Sequence, residues 1–143
     1  MLKKQLFTFV CFIIGLASCH STQDTASSTP KVGMFKVAIL YPSGNDKSFD
    51  MEYYENKHMP MVAGFLGENL QFYEIDRSIS GRTPTDAAPF VAIGYFYVND
   101  IAEYNKAIEK NRDAIISDFK NYTTIQPIIN ISEIKQLVRP GRK

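Results

Sequence analysis

Apolar and polar positions change period several times along the chain, and each change marks an element. Residues 34–41 are almost continuously apolar, interrupted by Lys36. So little alternation in a short run of β-formers predicts a strand buried on both faces. Pro42 and Gly44 open a turn. From residue 50 the period becomes helical: Met51, Tyr54, His58, Val62 and Phe65 recur at spacings of three and four and share one face. Asp50 can cap this helix by accepting the free N–H groups of its first turn. Pro60, with no N–H and a ring that crowds the preceding turn, predicts a kink or break just after His58, and the helix stops near Gly64 or Gly67. Residues 70–79 mix Leu70, Phe72, Ile75 and Ile79 with Tyr73, Glu74, Asp76 and Arg77, a strand with one wetter face. After a polar loop with Gly81 and Pro84, residues 90–98 give the plainest strand, with an apolar set on each face. Val91, Ile93, Tyr95 and Tyr97 take one side, and Phe90, Ala92, Gly94, Phe96 and Val98 the other. Asn99 or Asp100 caps a second helix with the stripe Ile101, Tyr104, Ala107 and Ile108, continuing through Ile115, Ile116 and Phe119 to about Asn121. Residues 125–137 form the last strand.

The order strand, helix, strand, strand, helix, strand predicts an α+β domain of the ferredoxin-like βαββαβ type: a four-stranded antiparallel sheet with two helices on one face. The face that the helices leave bare still carries Val91, Ile93, Tyr95 and Tyr97. An apolar patch of that size is unusual on a monomer, so a homodimer packed sheet against sheet is expected.

The first residues belong to a different class of segment. Lys3 and Lys4 precede an apolar run from Leu6 to Ala17, too short for a membrane span and fitting a secretory signal over residues 1–18. Its end, Leu16-Ala17-Ser18-Cys19, is similar to the lipobox of bacterial lipoproteins, in which the cysteine is lipidated and becomes the new N-terminus; the alternative is an ordinary secretory signal with a chance cysteine. With more than one acyl chain at Cys19, anchoring would be stable. That implies a lipid-anchored protein of the bacterial cell envelope, at the outer membrane or the periplasmic face. Residues 19–33 are rich in Ser and Thr and read as a flexible tether carrying His20. The folded domain then spans 34–138, with a short basic tail at 139–143.

Composition narrows the chemistry. The chain has 143 residues, room for one domain with one core. Losing the leader removes two of the 16 basic residues and none of the 15 acidic ones, so the charge is nearly balanced and no basic patch for nucleic acid appears. Cys11 would be discarded and Cys19 lipidated, which leaves the domain without thiols for catalysis, disulfides or metal. One histidine and scattered carboxylates make a metal site unexpected, and no motif asks for a cofactor. The 8 tyrosines and 10 phenylalanines suit either core packing or the lining of a small-molecule pocket.

His58 is the one residue placed to do chemistry. An imidazole near its ordinary pKa of about 6.5 suits proton transfer near neutrality, with Tyr54, one helical turn earlier, or the sheet tyrosines Tyr41 and Tyr95 donating to a bound carbonyl. The alternative is that His58 satisfies a backbone carbonyl freed by Pro60. Tyr53 and Tyr54 are adjacent and must point apart.

Phe49-Asp50, Tyr53-Tyr54, His58-Met59-Pro60, the Ala-Ile-Ile-Ser-Asp-Phe run at 114–119, Asn121-Tyr122-Thr123, Pro127 and Glu133 together resemble the EthD family of dimeric α/β-barrel proteins, over about residues 34–137. The resemblance implies a ferredoxin-like protomer, a homodimer whose two sheets form a barrel, and small hydrophobic or aromatic ligands held between sheet and helices. The family takes its name from an ether-degradation system, and members are often labelled reductases. Related dimeric barrels include cyclases, isomerases and monooxygenases that work without metal. The implied function is binding of a small hydrophobic or aromatic carbonyl compound, with cofactor-independent chemistry at His58, or a non-catalytic accessory role for an oxidoreductase or degradation system.

Overall fold

The computed structural model describes residues 29–141; the leader, Cys11, Cys19, His20 and most of the tether lie outside them. Strand β1 (Phe35–Pro42) is followed by a continuous helical run made of α1 (Met51–Tyr53), a wide π-turn (Tyr54–His58) and α2 (Met59–Leu66). Then come β2 (Leu70–Arg77), β3 (Phe90–Val98), α3 (Ile101–Lys110), α4 (Arg112–Asp118), a 3-10 turn (Phe119–Asn121) and β4 (Ile128–Glu133). The sheet order is β2-β3-β1-β4 with every pairing antiparallel, which is the ferredoxin-like α+β arrangement expected from the element order. Val37, Ala38, Ile39 and Tyr41 are all buried, so both faces of β1 are covered at its centre, which is why its sequence hardly alternates.

The helical run departs from expectation in an instructive way. No break follows His58: Tyr54, His58 and Met59 all keep right-handed helical dihedrals. The irregularity lies in the turn before Pro60, where the Met59 N–H reaches back to the Tyr54 carbonyl, five residues away. Widening that turn gives the Pro60 ring room without ending the helix. The extra residue also advances the buried stripe by one position. Met59 and Leu66 are buried together with Met51, Tyr54, His58 and Val62, while Phe65 sits at the flank. Gly67 closes the run at φ 52° and ψ −136°, outside the left-handed helical cap and in a region that glycine enters readily and residues with a Cβ rarely do.

The second helix is split. Asn111 donates its side-chain amide to the Ala107 carbonyl at 2.8 Å and leaves helical geometry, since a short polar side chain competes with the backbone ladder. The last strand is shorter than residues 125–137: Ile125 turns into the core, Pro127 supplies no N–H for a ladder, and pairing begins at Ile128.

Alternation along the strands divides the sheet. Val37, Ile39, Tyr41, Ala92, Phe96 and Val98 face the helices and are buried. The register puts Ala38 beside Tyr95, and Leu40 beside Ile93, on the opposite, bare face. That face is apolar at its centre and polar at its margins, where Glu74 and Asp76 on β2 and Asn130 and Ser132 on β4 share it.

Candidate functional site

His58 is 4% exposed and does not serve the backbone. Its Nδ1 lies 2.8 Å from Asp118 Oδ2, so the backbone-carbonyl alternative is replaced by an Asp–His pair joining the end of α2's preceding turn to the end of α4. The other carboxylate oxygen, Oδ1, accepts from the Tyr53 hydroxyl at 2.8 Å and from Asn121 Nδ2 at 2.8 Å. Three donors from three elements therefore converge on one carboxylate. The two segments are stitched side by side at the backbone. Asp50 N donates to the Tyr122 carbonyl at 2.7 Å, Phe49 and Thr123 form an antiparallel bridge, and Asp50 caps α1 by accepting from Tyr53 N. Tyr122 packs over the imidazole, with ring centroids 4.5 Å apart, and Tyr54 stacks near it with centroids 5.7 Å apart, the two tyrosine rings themselves in contact at 5.4 Å.

A cavity of about 200 Å³ lies beside His58 between sheet and helices. Ile39, Tyr41 and Phe96 form its sheet wall, and Val62, Tyr104 and Ile115 are among the helical residues that close it. Its polar groups are few. The Tyr41 hydroxyl is tied to that of Tyr122 at 2.8 Å. The Tyr54 ring lines the cavity, but its hydroxyl is buried without a partner, tucked where a Cβ on Gly94 would stand only 2.2 Å away. Tyr104 makes no side-chain hydrogen bond among the described residues. Its phenol, pushed up to about 12 by burial, stays protonated at neutral pH and can donate.

Burial dominates at His58 and lowers its pKa, against the opposing pull of the Asp118 carboxylate. The imidazole is thus neutral near pH 7. Desolvation pushes Asp118 the other way, but the hydrogen bonds from His58, Asn121 and Tyr53 outweigh it and hold the carboxyl below its ordinary range. An anionic carboxylate can only accept, so Nδ1 carries the imidazole proton and the Nε2 lone pair is free. His58 lines the cavity, and its carboxylate partner Asp118 lies outside that lining. This is the arrangement of a general base held by an orienting carboxylate.

Of the residues singled out from the sequence, His58, Tyr54 and Tyr41 come together around the cavity. Tyr95 does not. It sits on the bare sheet face, under Lys36 Nζ at 5.4 Å, because it shares parity with Ile93 and Tyr97 and not with Gly94 and Phe96. Nothing in the sequence pattern assigns Asp118, Asn121, Tyr122 or Tyr104 to the site. Asp118 and Asn121 lay within segments that resemble the EthD family, which was the available signal; Tyr104 read as ordinary stripe. Two larger surface grooves, of about 620 and 580 Å³, flank Arg77. Their charged side chains, Asp50, Arg77 and Lys120 among them, are exposed and converge on nothing. Among the described residues no group of three or more His, Cys, Asp or Glu could hold a metal ion, and no helix is long and apolar enough to cross a membrane.

Fold and site together define a ferredoxin-like domain with a small apolar cavity governed by one histidine. No family model matches the chain, and no curated protein matches it. Solved structures do. An EthD-like protein from Ralstonia eutropha JMP134 is 32% identical, with a TM-score of 0.71, and the match covers 78% of this chain and all of that one. The chain belongs to the EthD family. An ethyl tert-butyl ether d (EthD) family protein from Bacillus halodurans C-125 shares the fold at 20% identity and a TM-score of 0.54, over 70% of this chain and 97% of that one.

Proposed function

We propose that this protein binds a small hydrophobic or aromatic carbonyl compound in the cavity beside His58 and transfers a proton on it without a cofactor. The observation that carries the reading is a buried imidazole on the wall of an apolar cavity, its Nδ1 held by Asp118. Apolar cavities of about 150 Å³ accommodate a benzene-sized molecule, so about 200 Å³ suits a single substituted ring. The chemistry balances with these residues alone. Nε2 takes a proton from the carbon next to the carbonyl, and the C–H electron pair becomes an enolate. The imidazolium is compensated by Asp118 until the proton returns to carbon or oxygen. Tyr104 is the wall group free to donate to the carbonyl oxygen.

Deuterium exchange tests this: the full chain in D₂O is incubated with an enolisable ketone such as acetophenone, and loss of the α-proton signal is followed by NMR. The reading expects exchange above buffer, falling to background in His58→Gln while binding persists. The apolar lining also suits a non-catalytic carrier or accessory protein for an oxidoreductase or degradation system, and binding with no exchange by the parent selects that second reading.

Two further parts of the proposal concern the whole chain. The apolar centre of the bare sheet face supports a homodimer packed through it. The leader supports lipidation at Cys19 and anchoring in the bacterial cell envelope, at the outer membrane or periplasmic face. Palmitate labelling of the protein, abolished by Cys19→Ala, is the expected result; labelling that survives the substitution contradicts it.

A further inference from the structure

We propose that the molecule held in this cavity presents a hydroxyl, a phenol or the enol form of a carbonyl compound, and donates that O–H to His58 Nε2. The proposal rests on the reading of the cavity as a ligand site and adds to it the chemical class that the wall selects.

The selection comes from the hydrogen bonds behind the histidine. Asp118 Oδ1 is taken by two donors, Tyr53 and Asn121, and Oδ2 faces His58 Nδ1. A carboxylate so placed offers nothing but lone pairs, which forces the proton onto Nδ1. A neutral imidazole has one N–H, so Nε2 is an acceptor only. Burial keeps it neutral. Among the described residues no lysine or arginine lines the cavity, so a carboxylate, phosphate or phenolate would enter an apolar space without a counter-charge. A ketone or ether of the same size fits, but leaves the Nε2 lone pair unpaired once water is displaced. A neutral hydroxylic ring satisfies both conditions. For the proton transfer of the proposed reaction, this means that the enol, once formed from the bound keto compound, is held more tightly than the keto form by the hydrogen bond of its O–H to Nε2.

The same two donors on Oδ1 allow an inversion. In Asp118→Asn, Tyr53 and Asn121 hold the amide oxygen at the Oδ1 position. The amide nitrogen then faces Nδ1 and donates to it, and the imidazole proton moves to Nε2. The acceptor becomes a donor with almost no change of shape. Asp118 is in this sense a positioning residue.

Dissociation constants for p-cresol, p-xylene and p-methylanisole, measured on the full chain and on Asp118→Asn, read these statements directly. In the parent, p-cresol is expected to bind roughly fivefold to tenfold tighter than p-xylene, the scale of one net hydrogen bond, with p-methylanisole no better than p-xylene. In Asp118→Asn the cresol advantage over p-methylanisole should disappear, while p-xylene affinity, which reports an intact cavity, stays within about twofold. Equal binding of p-cresol and p-xylene by the parent overturns the hydroxyl assignment and leaves the cavity reading standing. Binding of none of the three removes both. A cresol preference undiminished in Asp118→Asn overturns the role of Asp118. Should Asp118→Asn fail to fold, the ¹⁵N spectrum of the parent decides. His58, identified by its absence in His58→Gln, should show a protonated Nδ1 and an unprotonated Nε2 at pH 7.5, and the reverse pattern overturns the proposal.

Discussion

Tyr53 and Tyr54 are neighbours in sequence with opposite fates. The Tyr53 hydroxyl grips Asp118; that of Tyr54 is fully buried with no partner, close to Tyr41 yet outside hydrogen-bond geometry. Its place under the sheet exists because residue 94 has no Cβ. Tyr54→Phe should therefore leave stability unchanged or raise it by up to about 1 kcal/mol, since it removes an unsatisfied hydroxyl. Gly94→Ala should cost about 1–3 kcal/mol through overpacking, and much of that should return in the Tyr54→Phe background. Urea denaturation of the four proteins checks both. His58 makes a prediction with a definite sign. Its folded pKa is lowered by burial, so the unfolded chain takes up a proton that the folded chain refuses. Stability should be complete above about pH 6.5 and should fall as pH drops through that value toward the folded pKa. Denaturation midpoints across pH 5–8 should show this slope, flattened in His58→Gln; a midpoint that rises on acidification would contradict it. Asp118, held low by its donors, adds a separate loss only below about pH 4. His58 was legible in the sequence because it is the one histidine on an amphipathic helix. Asp118 was not, because their contact spans 60 residues and no local spacing encodes it.

At the scale of elements, local signals located every strand and helix but misplaced several ends. Pro60 announced an irregularity correctly, yet the chain absorbed it in a wide turn one step earlier instead of breaking. Periodicity assumes a constant 3.6 residues per turn, so it could not foresee that the buried stripe would move from Phe65 to Leu66. Asn111 split the second helix by bonding its own backbone, and Pro127 shortened the last strand. Capping, in contrast, was readable. Asp100 accepts from the N–H groups of Ala102 and Glu103, while Asn69 binds Asn99 N, Asp100 N and the Asp100 carbonyl. Asp100→Ala should cost about 1 kcal/mol, measured by thermal or urea unfolding, without altering the cavity of about 200 Å³, which Asp100 does not line.

For the whole molecule, the alternation of residues 90–98 and the order of elements were enough to specify the sheet and its two unlike faces. The cavity was not readable, because a void is what packing leaves over and no residue pattern writes it. The bare face carries Ala38, Leu40, Ile93, Tyr95 and Tyr97 around one centre. Sedimentation equilibrium should give twice the protomer mass for the full chain, and Ile93→Lys should return it to a folded monomer; a monomeric parent would contradict the proposed pairing. The central claim is that the space beside His58 receives a ligand, and one NMR titration tests it most directly. Adding p-cresol to the full chain should shift the His58 ring resonances saturably. The same addition to Val62→Phe, in which a larger side chain fills the cavity wall from a position 4% exposed, should leave them still. Resonances that do not move in the parent up to the solubility of the ligand, or that move equally in the filled variant, would contradict the account.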